Sequence, residues 1–290
     1  MTNVLDAKAL VEQEFAALEA RIKNLSRAPV LAVVLVGENK ASAAFVRVKQ
    51  RAAQRIGIDC RLFTYQEGIS AKEFSKKLNE LAKSTKFDGM IVQLPLPPQL
   101  DGSRHSFLRI IPEDKDVDCL SERWQGRLTS GRTFVEIKGR RANILPPVAS
   151  AIFKLSEKYH ISFEGKNVAV VGWGDLVGKP IVPLLLARDA TVTVCTSKTS
   201  DLTSVLKNSD IIISGTGKAG LIHGDMIKLG AIIFDAGYSE ENGGVKGDVD
   251  KSSVEGVAGM LSASPGGIGP LTVVSLFENV VALSEIRQKL

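Results

Sequence analysis

Seven short apolar runs, each the length of one strand, alternate with stretches of helical spacing, and this alternation restricts the chain to an α/β fold built on parallel sheet. The runs are residues 30–36, 60–65 and 89–92 in the first half, then 168–171, 191–195, 211–214 and 231–235 in the second. Helical periodicity falls over residues 1–20, 41–55, 71–83, 148–159 and 271–290, and Ser70 with Glu73 three residues on forms a capping-box pattern. Residues 112–139, rich in charge and turn formers, read as a long loop. The spacing predicts two α/β domains. One covers 1–142 and, if the last helix crosses back to it, 270–290; the other is an α/β domain of Rossmann type over 143–269.

Composition matters here for what it excludes. Over 290 residues, 44% are hydrophobic and 24% charged, which rules out a disordered chain. No stretch approaches the roughly 18 consecutive apolar residues of a membrane span. The acidic residues Asp6, Glu12, Glu14 and Glu19 argue against a signal peptide, so a cytoplasmic protein with no membrane partner is expected. Cys60, Cys119 and Cys195 are too far apart to suggest a zinc site or a disulfide framework, and no metal is expected. A net charge of +5 suits an anionic small molecule. The basic clusters Arg47/Lys49/Arg51/Arg55 and Lys138/Arg140/Arg141 lack interleaved aromatics, so they read as solvated or ligand-facing charge, and no nucleic-acid partner is expected.

Residues 168–180 place Gly172, Gly174 and Gly178 between a strand and a helix. Glycines in that position let backbone N–H groups at a helix N-terminus approach a pyrophosphate. A lone GxG is weak, and a tight turn without a ligand is the bland alternative; the flanking strands favour a dinucleotide. Cofactor choice is read at the end of the second strand, where NAD sites usually carry a carboxylate. Here Ser197, Lys198 and Thr199 offer two hydroxyls and a lysine, which suit a 2′-phosphate, so NADP is the expected cofactor and NAD the alternative. Asp201 falls slightly late, and Asp175 lies in the turn, where its carboxylate would repel phosphate.

In the first domain, Ser42, Phe45 and Lys49 share one helix face just after Gly37, and Gln93 with the 94–98 proline corner follows a second strand at the same sheet edge. From composition alone, Lys49 reads as a surface lysine. Taken together, however, these segments resemble the bifunctional methylenetetrahydrofolate dehydrogenase/cyclohydrolase family nearly end to end. The resemblance is carried by residues 33–37 with Ala41-Ser42, Gln93-Leu-Pro-Leu-Pro97 after Asp88, Asp114-Lys-Asp-Val-Asp118 after Pro112, Gly126-Arg-Leu128, the 170–180 turn, Ser197-Lys-Thr199, and Pro265-Gly-Gly-Ile-Gly-Pro-Leu-Thr272.

That resemblance implies two domains with a cleft between them, a homodimer, and a folate substrate. In the family, 5,10-methylenetetrahydrofolate gives hydride to NADP⁺, and water opens the methenyl product to 10-formyltetrahydrofolate. Lys49 matches the catalytic lysine, Gln93 the glutamine that tunes it, and Asp118 the aspartate that holds the pterin. Ser42, Phe45, Leu94, Pro95, Pro265, Gly266, Gly267 and Ile268 fall on the substrate side, with a bland turn as the alternative for the last four. Gly172, Trp173, Gly174, Asp175, Val177, Gly178, Ser197, Lys198 and Thr199 fall on the cofactor.

Several positions depart from the pattern. Phe45 stands for the usual Tyr, losing a phenolic hydrogen bond. Trp173-Gly174 replaces an Arg-Ser pair, removing the bidentate partner of a 2′-phosphate, for which Lys198 or Lys179 could compensate. Ile144-Leu-Pro-Pro147 replaces Pro-Cys-Thr-Pro, Cys119-Leu120 replaces Gly-Phe, and the 138–141 loop is longer. These changes keep open a folate- or dinucleotide-binding relative without turnover, and a dehydrogenase-only enzyme. Another α/β dehydrogenase, acting on shikimate or amino acids, would not explain the 114–118 and 265–270 segments together.

Overall fold

The computed structural model describes residues 2–241 and 244–288. The chain forms two compact units, Gln13–Leu145 with Ser275–Leu290, and Met1–Glu12 with Pro146–Val274.

In the first unit a three-stranded parallel sheet runs Asp59–Tyr65, Val30–Val36, Gly89–Val92. All seven residues of the central strand are buried, as expected of a run of Val, Leu and Ala covered on both faces. Helix Lys40–Ile56 starts where the Asn39 side chain accepts the Ser42 N–H, and stops at Gly57, whose φ of +82° suits a residue without Cβ. Helix Ala71–Lys83 opens with Ser70 Oγ accepting the Glu73 N–H, as the capping pattern predicts, and buries Phe74, Leu78 and Ala82 along one stripe. Asp88, fully buried, is neutralised by the Arg27 guanidinium at 2.7 and 2.8 Å and also accepts the Val30 N–H. A buried carboxylate needs such partners to offset its desolvation.

Residues 112–139 are more ordered than a loop. They hold helix Glu122–Thr129, capped by Ser121 and anchored by buried Trp124 and Leu128, and strand Phe134–Ile137, which pairs antiparallel with Arg140–Asn143. The hairpin turns on Lys138 and Gly139, both at positive φ. That is the backbone of a type I′ turn, and Lys-Gly is a weaker signal for it than Asn-Gly.

In the second unit six parallel strands run in the order Asn3–Val4, Met260–Ser262, Ile232–Asp235, Ile211–Ser214, Asn167–Val171, Thr191–Cys195. The two outermost strands at one side have two and three residues, too short to register as apolar runs. Residues 1–12, expected in the first domain, belong here because Asn3 and Val4 pair with Met260 and Leu261. The first helix is correspondingly Lys8–Lys23 in place of 1–20; Met1 lies outside the described residues.

The last helix is Ile268–Gln288; residues 289 and 290, expected to continue it, lie outside the described residues. By length and composition this helix could cross a membrane, contrary to the expectation that no stretch would. Its Leu271, Val274, Phe277, Val280, Val281 and Leu283 are instead fully buried in protein packing.

Candidate active site and nucleotide turn

The first cluster forms at the carboxyl ends of the central strand and its neighbour Gly89–Val92. Lys49, on the helix that follows the central strand, donates from Nζ to Gln93 Oε1 at 3.0 Å. Gln93 is fixed at both ends: its N–H donates to Val34 O at 2.8 Å and its Nε2 to Leu94 O at 2.7 Å, across the turn that contains the cis Leu94–Pro95 bond. With Nε2 occupied, Oε1 is the end that faces the lysine. Burial pushes the Lys49 ammonium below the ordinary lysine range, and the charge of Asp118 opposes that shift. Burial in turn raises the Asp118 carboxyl, against the pull of Lys49. The Cys60 thiol, pushed up to about 11 by burial, stays protonated near neutral pH and is no nucleophile there. Cys60 was not singled out by sequence; it belongs to the neighbouring strand, and only strand pairing brings it to Lys49.

Asp118 reaches this cluster because its segment runs against the sheet. Met90 bridges to Asp116, and a Cβ on Gly89 would lie 2.7 Å from Val117 Cγ1, so glycine permits the approach. Asn279 fixes the same segment from the last helix, donating from Nδ2 to Val117 O at 2.8 Å and to Leu145 O at 2.7 Å. Ser42 is buried, and its Oγ has no partner among the described residues; Phe45 and Leu94 are half-buried, and Pro95 is exposed. The structure therefore gathers Lys49, Gln93 and Asp118 into one electrostatic unit, and places Ser42 and Phe45 on the lysine's own helix.

The second cluster is the glycine turn. Gly172 ends strand Asn167–Val171 at φ +105°, and Gly178 opens helix Gly178–Leu186. A Cβ on Gly178 would stand 2.0 Å from Gly172 O, whereas one on Gly174 would meet nothing within 4 Å. Packing thus explains Gly178 and leaves Gly174 facing open space, which a bound pyrophosphate could use. Val177 is buried, and a Cβ on Gly215 would fall 2.6 Å from it. Trp173 is 46% exposed, so the indole stands out of the turn.

Asp175 does not present the bare repulsive charge expected of it: Lys179 Nζ, from the first turn of the helix, lies 2.6 Å from its Oδ1. The same pairing commits Lys179, one of the two cations considered for a 2′-phosphate. On the loop after strand Thr191–Cys195, Thr199 Oγ1 accepts the Thr196 N–H and Thr196 Oγ1 accepts the Lys198 N–H. Thr199 is therefore scaffold, while the Ser197 and Lys198 side chains are exposed. Asp201, which falls slightly late for a ribose contact, caps helix Leu202–Lys207 through the Ser204 N–H.

Sequence reasoning missed the buried carboxylates behind this edge. Asp248 accepts the Ser214 hydroxyl at 2.7 Å and the N–H groups of Thr216 and Lys218. Asp235 accepts N–H groups from Gly237, Asp248 and Val249, and burial pushes its carboxyl up to about 6. The dense glycines at 215, 217, 237 and 247 were the available signal. Pro265–Ile268 follows strand Met260–Ser262 in this same unit, with a cis Ser264–Pro265 bond and Gly266 at φ +101°. Pro265 and Gly266 are exposed, but Gly267 is buried and the Ile268 side chain, expected to contact substrate, is 2% exposed and part of the core. No group of His, Cys, Asp and Glu able to hold a metal occurs among the described residues.

A parallel six-stranded sheet with a glycine turn feeding a helix defines a dinucleotide-binding domain, here in one chain with an α/β unit that holds the half-buried Lys49. The chain belongs to the tetrahydrofolate dehydrogenase/cyclohydrolase family: the model of that family's catalytic domain matches residues 5–118, and that of its NAD(P)-binding domain matches residues 146–288. It is 39% identical over 287 residues to the bifunctional protein FolD of Lactobacillus gasseri, covering 98% of each. Among solved structures it resembles the bifunctional FolD dehydrogenase/cyclohydrolase of Campylobacter jejuni, with a TM-score of 0.90 at 33% identity over 99% of this chain and 100% of that one. It also resembles the FolD of Trypanosoma brucei complexed with NADP and an inhibitor, with a TM-score of 0.88 at 30% identity over 99% and 98% of the two chains.

Proposed function

We propose that the chain carries out two consecutive reactions of one-carbon folate chemistry: NADP-dependent oxidation of 5,10-methylenetetrahydrofolate to the methenyl form, then hydrolysis to 10-formyltetrahydrofolate. The observation that carries this reading is the Lys49 Nζ to Gln93 Oε1 bond of 3.0 Å beside Asp118, in surroundings that lower the lysine's proton affinity. In the first step a hydride leaves the methylene carbon; bound NADP⁺ supplies the acceptor. In the second, water adds to the methenyl carbon, a carbon–nitrogen bond of the ring opens and one proton is released.

Lys49 as a neutral amine takes the proton of the attacking water, and a neighbouring cationic methenyl ring lowers its proton affinity further. Gln93 Oε1 orients that amine. Asp118 accepts a pair of N–H bonds from the aminopyrimidine edge of the pterin, which fixes the ring's orientation. Phe45 gives the ring an apolar face. The nucleotide side fits NADP: Gly174 leaves the turn open to a pyrophosphate, Gly172 and Gly178 let the chain turn tightly there, Asp175 is neutralised by Lys179, and Ser197 with Lys198 remains for the 2′-phosphate. On the same reading the chain works as a homodimer in the cytoplasm, which sizing of the purified protein and fractionation of the source cells would check.

The test is an assay with 5,10-methylenetetrahydrofolate and either NADP⁺ or NAD⁺, following reduced cofactor and methenyl compound separately. Reduction without methenyl accumulation is expected, faster with NADP⁺. Methenyl build-up would leave a dehydrogenase only, and no reduction with folate still bound would replace the enzyme by a binding protein.

A further inference from the structure

The residue that follows Asp118 has a backbone conformation unfavourable for its side chain. Cys119 sits at φ +58° with its side chain fully buried. A residue with a Cβ held there is strained, and persists only when its surroundings over-determine it. One residue closes the turn. Asp116, 2% exposed, spans the turn: its main-chain oxygen accepts the Cys119 N–H at 3.2 Å, Oδ1 accepts the Leu120 N–H at 3.3 Å, and Oδ2 accepts the Ser121 N–H at 2.8 Å. Ser121 then caps helix Glu122–Thr129 through the Trp124 N–H. Asp118 stands between the two ends of this clamp and faces Lys49.

We propose that Asp116 is the positioning residue of the site: by closing the 116–121 turn over Cys119 it holds the Asp118 carboxylate beside Lys49, without itself touching substrate. A second buried carboxylate two residues from Asp118 is otherwise a net cost, since desolvation and the charge of Asp118 both disfavour its ionised form. The clamp gives that cost a purpose. The inference rests on the reading of Asp118 as the pterin-holding residue, and the experiment separates the two.

Initial rates of NADP⁺ reduction are measured on the full chain for wild type, Asp116→Ala, Asp116→Ala with Cys119→Gly, and Asp118→Asn, varying the folate and NADP⁺ in turn. Asp116→Ala is expected to raise KM for the folate about tenfold, the effect of misplacing one charge-assisted hydrogen bond, with KM for NADP⁺ unchanged. Adding Cys119→Gly recovers most of the loss, because glycine takes positive φ without the Cβ penalty. If Asp116→Ala does not fold, Asp116→Asn, which keeps the volume and one acceptor oxygen, gives the same split at smaller size. An unchanged folate KM, an equal rise in both KM values, or no recovery with Cys119→Gly overturns the proposal. If Asp118→Asn itself leaves the folate KM unchanged, the reading of Asp118 falls and this inference with it; if Asp118→Asn raises it and Asp116→Ala does not, the inference alone falls.

Discussion

Replacing Lys49 separates the two roles proposed for it, proton acceptor for the hydrolytic water and counter-charge for Asp118. Lys49→Arg keeps a cation near Asp118 but cannot give up a proton near neutral pH. Lys49→Met removes both the base and the charge. A positioned general base contributes about 10²- to 10⁴-fold, and Lys49 is held by one hydrogen bond of 3.0 Å in surroundings that favour its neutral form, so 10-formyl production is expected to fall by about that factor in both variants. The variants differ in folate binding. Lys49 is the one influence that lowers the Asp118 carboxyl against burial, so without it Asp118 moves further up and its ionised fraction falls. Folate KM should therefore rise several-fold in Lys49→Met and stay near wild type in Lys49→Arg. In wild type, hydrolysis should climb with pH along a limb below the ordinary lysine range, because burial lowers the ammonium and the neutral amine is the active form. The limb should vanish in Lys49→Arg. Assays that follow reduced cofactor and methenyl compound separately would show methenyl accumulation in both variants. Undiminished 10-formyl production by Lys49→Arg would refute the assignment.

Three further outcomes follow from the nucleotide unit. Lys198→Gln should raise KM for NADP⁺ about five- to tenfold and leave NAD⁺ kinetics unchanged, since Lys179 is occupied by Asp175 and the exposed Lys198 is the remaining cation of the two; equal effects on both cofactors would remove it from the 2′-phosphate. Gly178→Ala should lower Tm sharply because its Cβ would meet Gly172 O at 2.0 Å, while Gly174→Ala, with nothing within 4 Å, should keep Tm and lose NADP⁺ affinity; matched Tm losses would contradict the open-space reading. Burial raises the Asp235 carboxyl to about 6, so the folded chain holds a proton that the unfolded chain has released, and this group's contribution to stability falls as pH rises from about 4 to about 6, by at most about 3 kcal/mol. Asp235→Asn should remove that slope, and a wild-type-minus-variant difference in Tm independent of pH would refute it.

How much could be read beforehand depended on whether the information is local. Residues 30–36 are strand-like because every side chain is apolar, and Ser70 with Glu73 marks a helix start; the structure forms both as read. Gly178 was legible for the same reason, since the Gly172 oxygen that excludes its Cβ lies six residues away, whereas the atom that excludes a Cβ at Gly172 is Gly215 O, 43 residues on. Strand Asn3–Val4 was invisible because two residues carry no period, and its partner Met260–Ser262 lies more than 250 positions away in sequence. The hairpin at 134–143 was missed because Lys138 takes positive φ without the usual Asn or Asp.

Within the candidate site, the sequence by itself determined which residue types were present and which shared a helix face: Ser42, Phe45 and Lys49, with Gln93 at the end of the next strand. Only the tertiary structure decided their electrostatics. Whether Lys49 is a solvated surface lysine or an amine with lowered proton affinity depends on burial and on Asp118, which lies on another segment. Whether Asp175 repels phosphate depends on where Lys179 points, and whether Ile268 meets substrate depends on which way its side chain is packed. Propensity and spacing act along the chain and can be read from it, whereas desolvation and charge pairing act through space and exist only once the chain has folded.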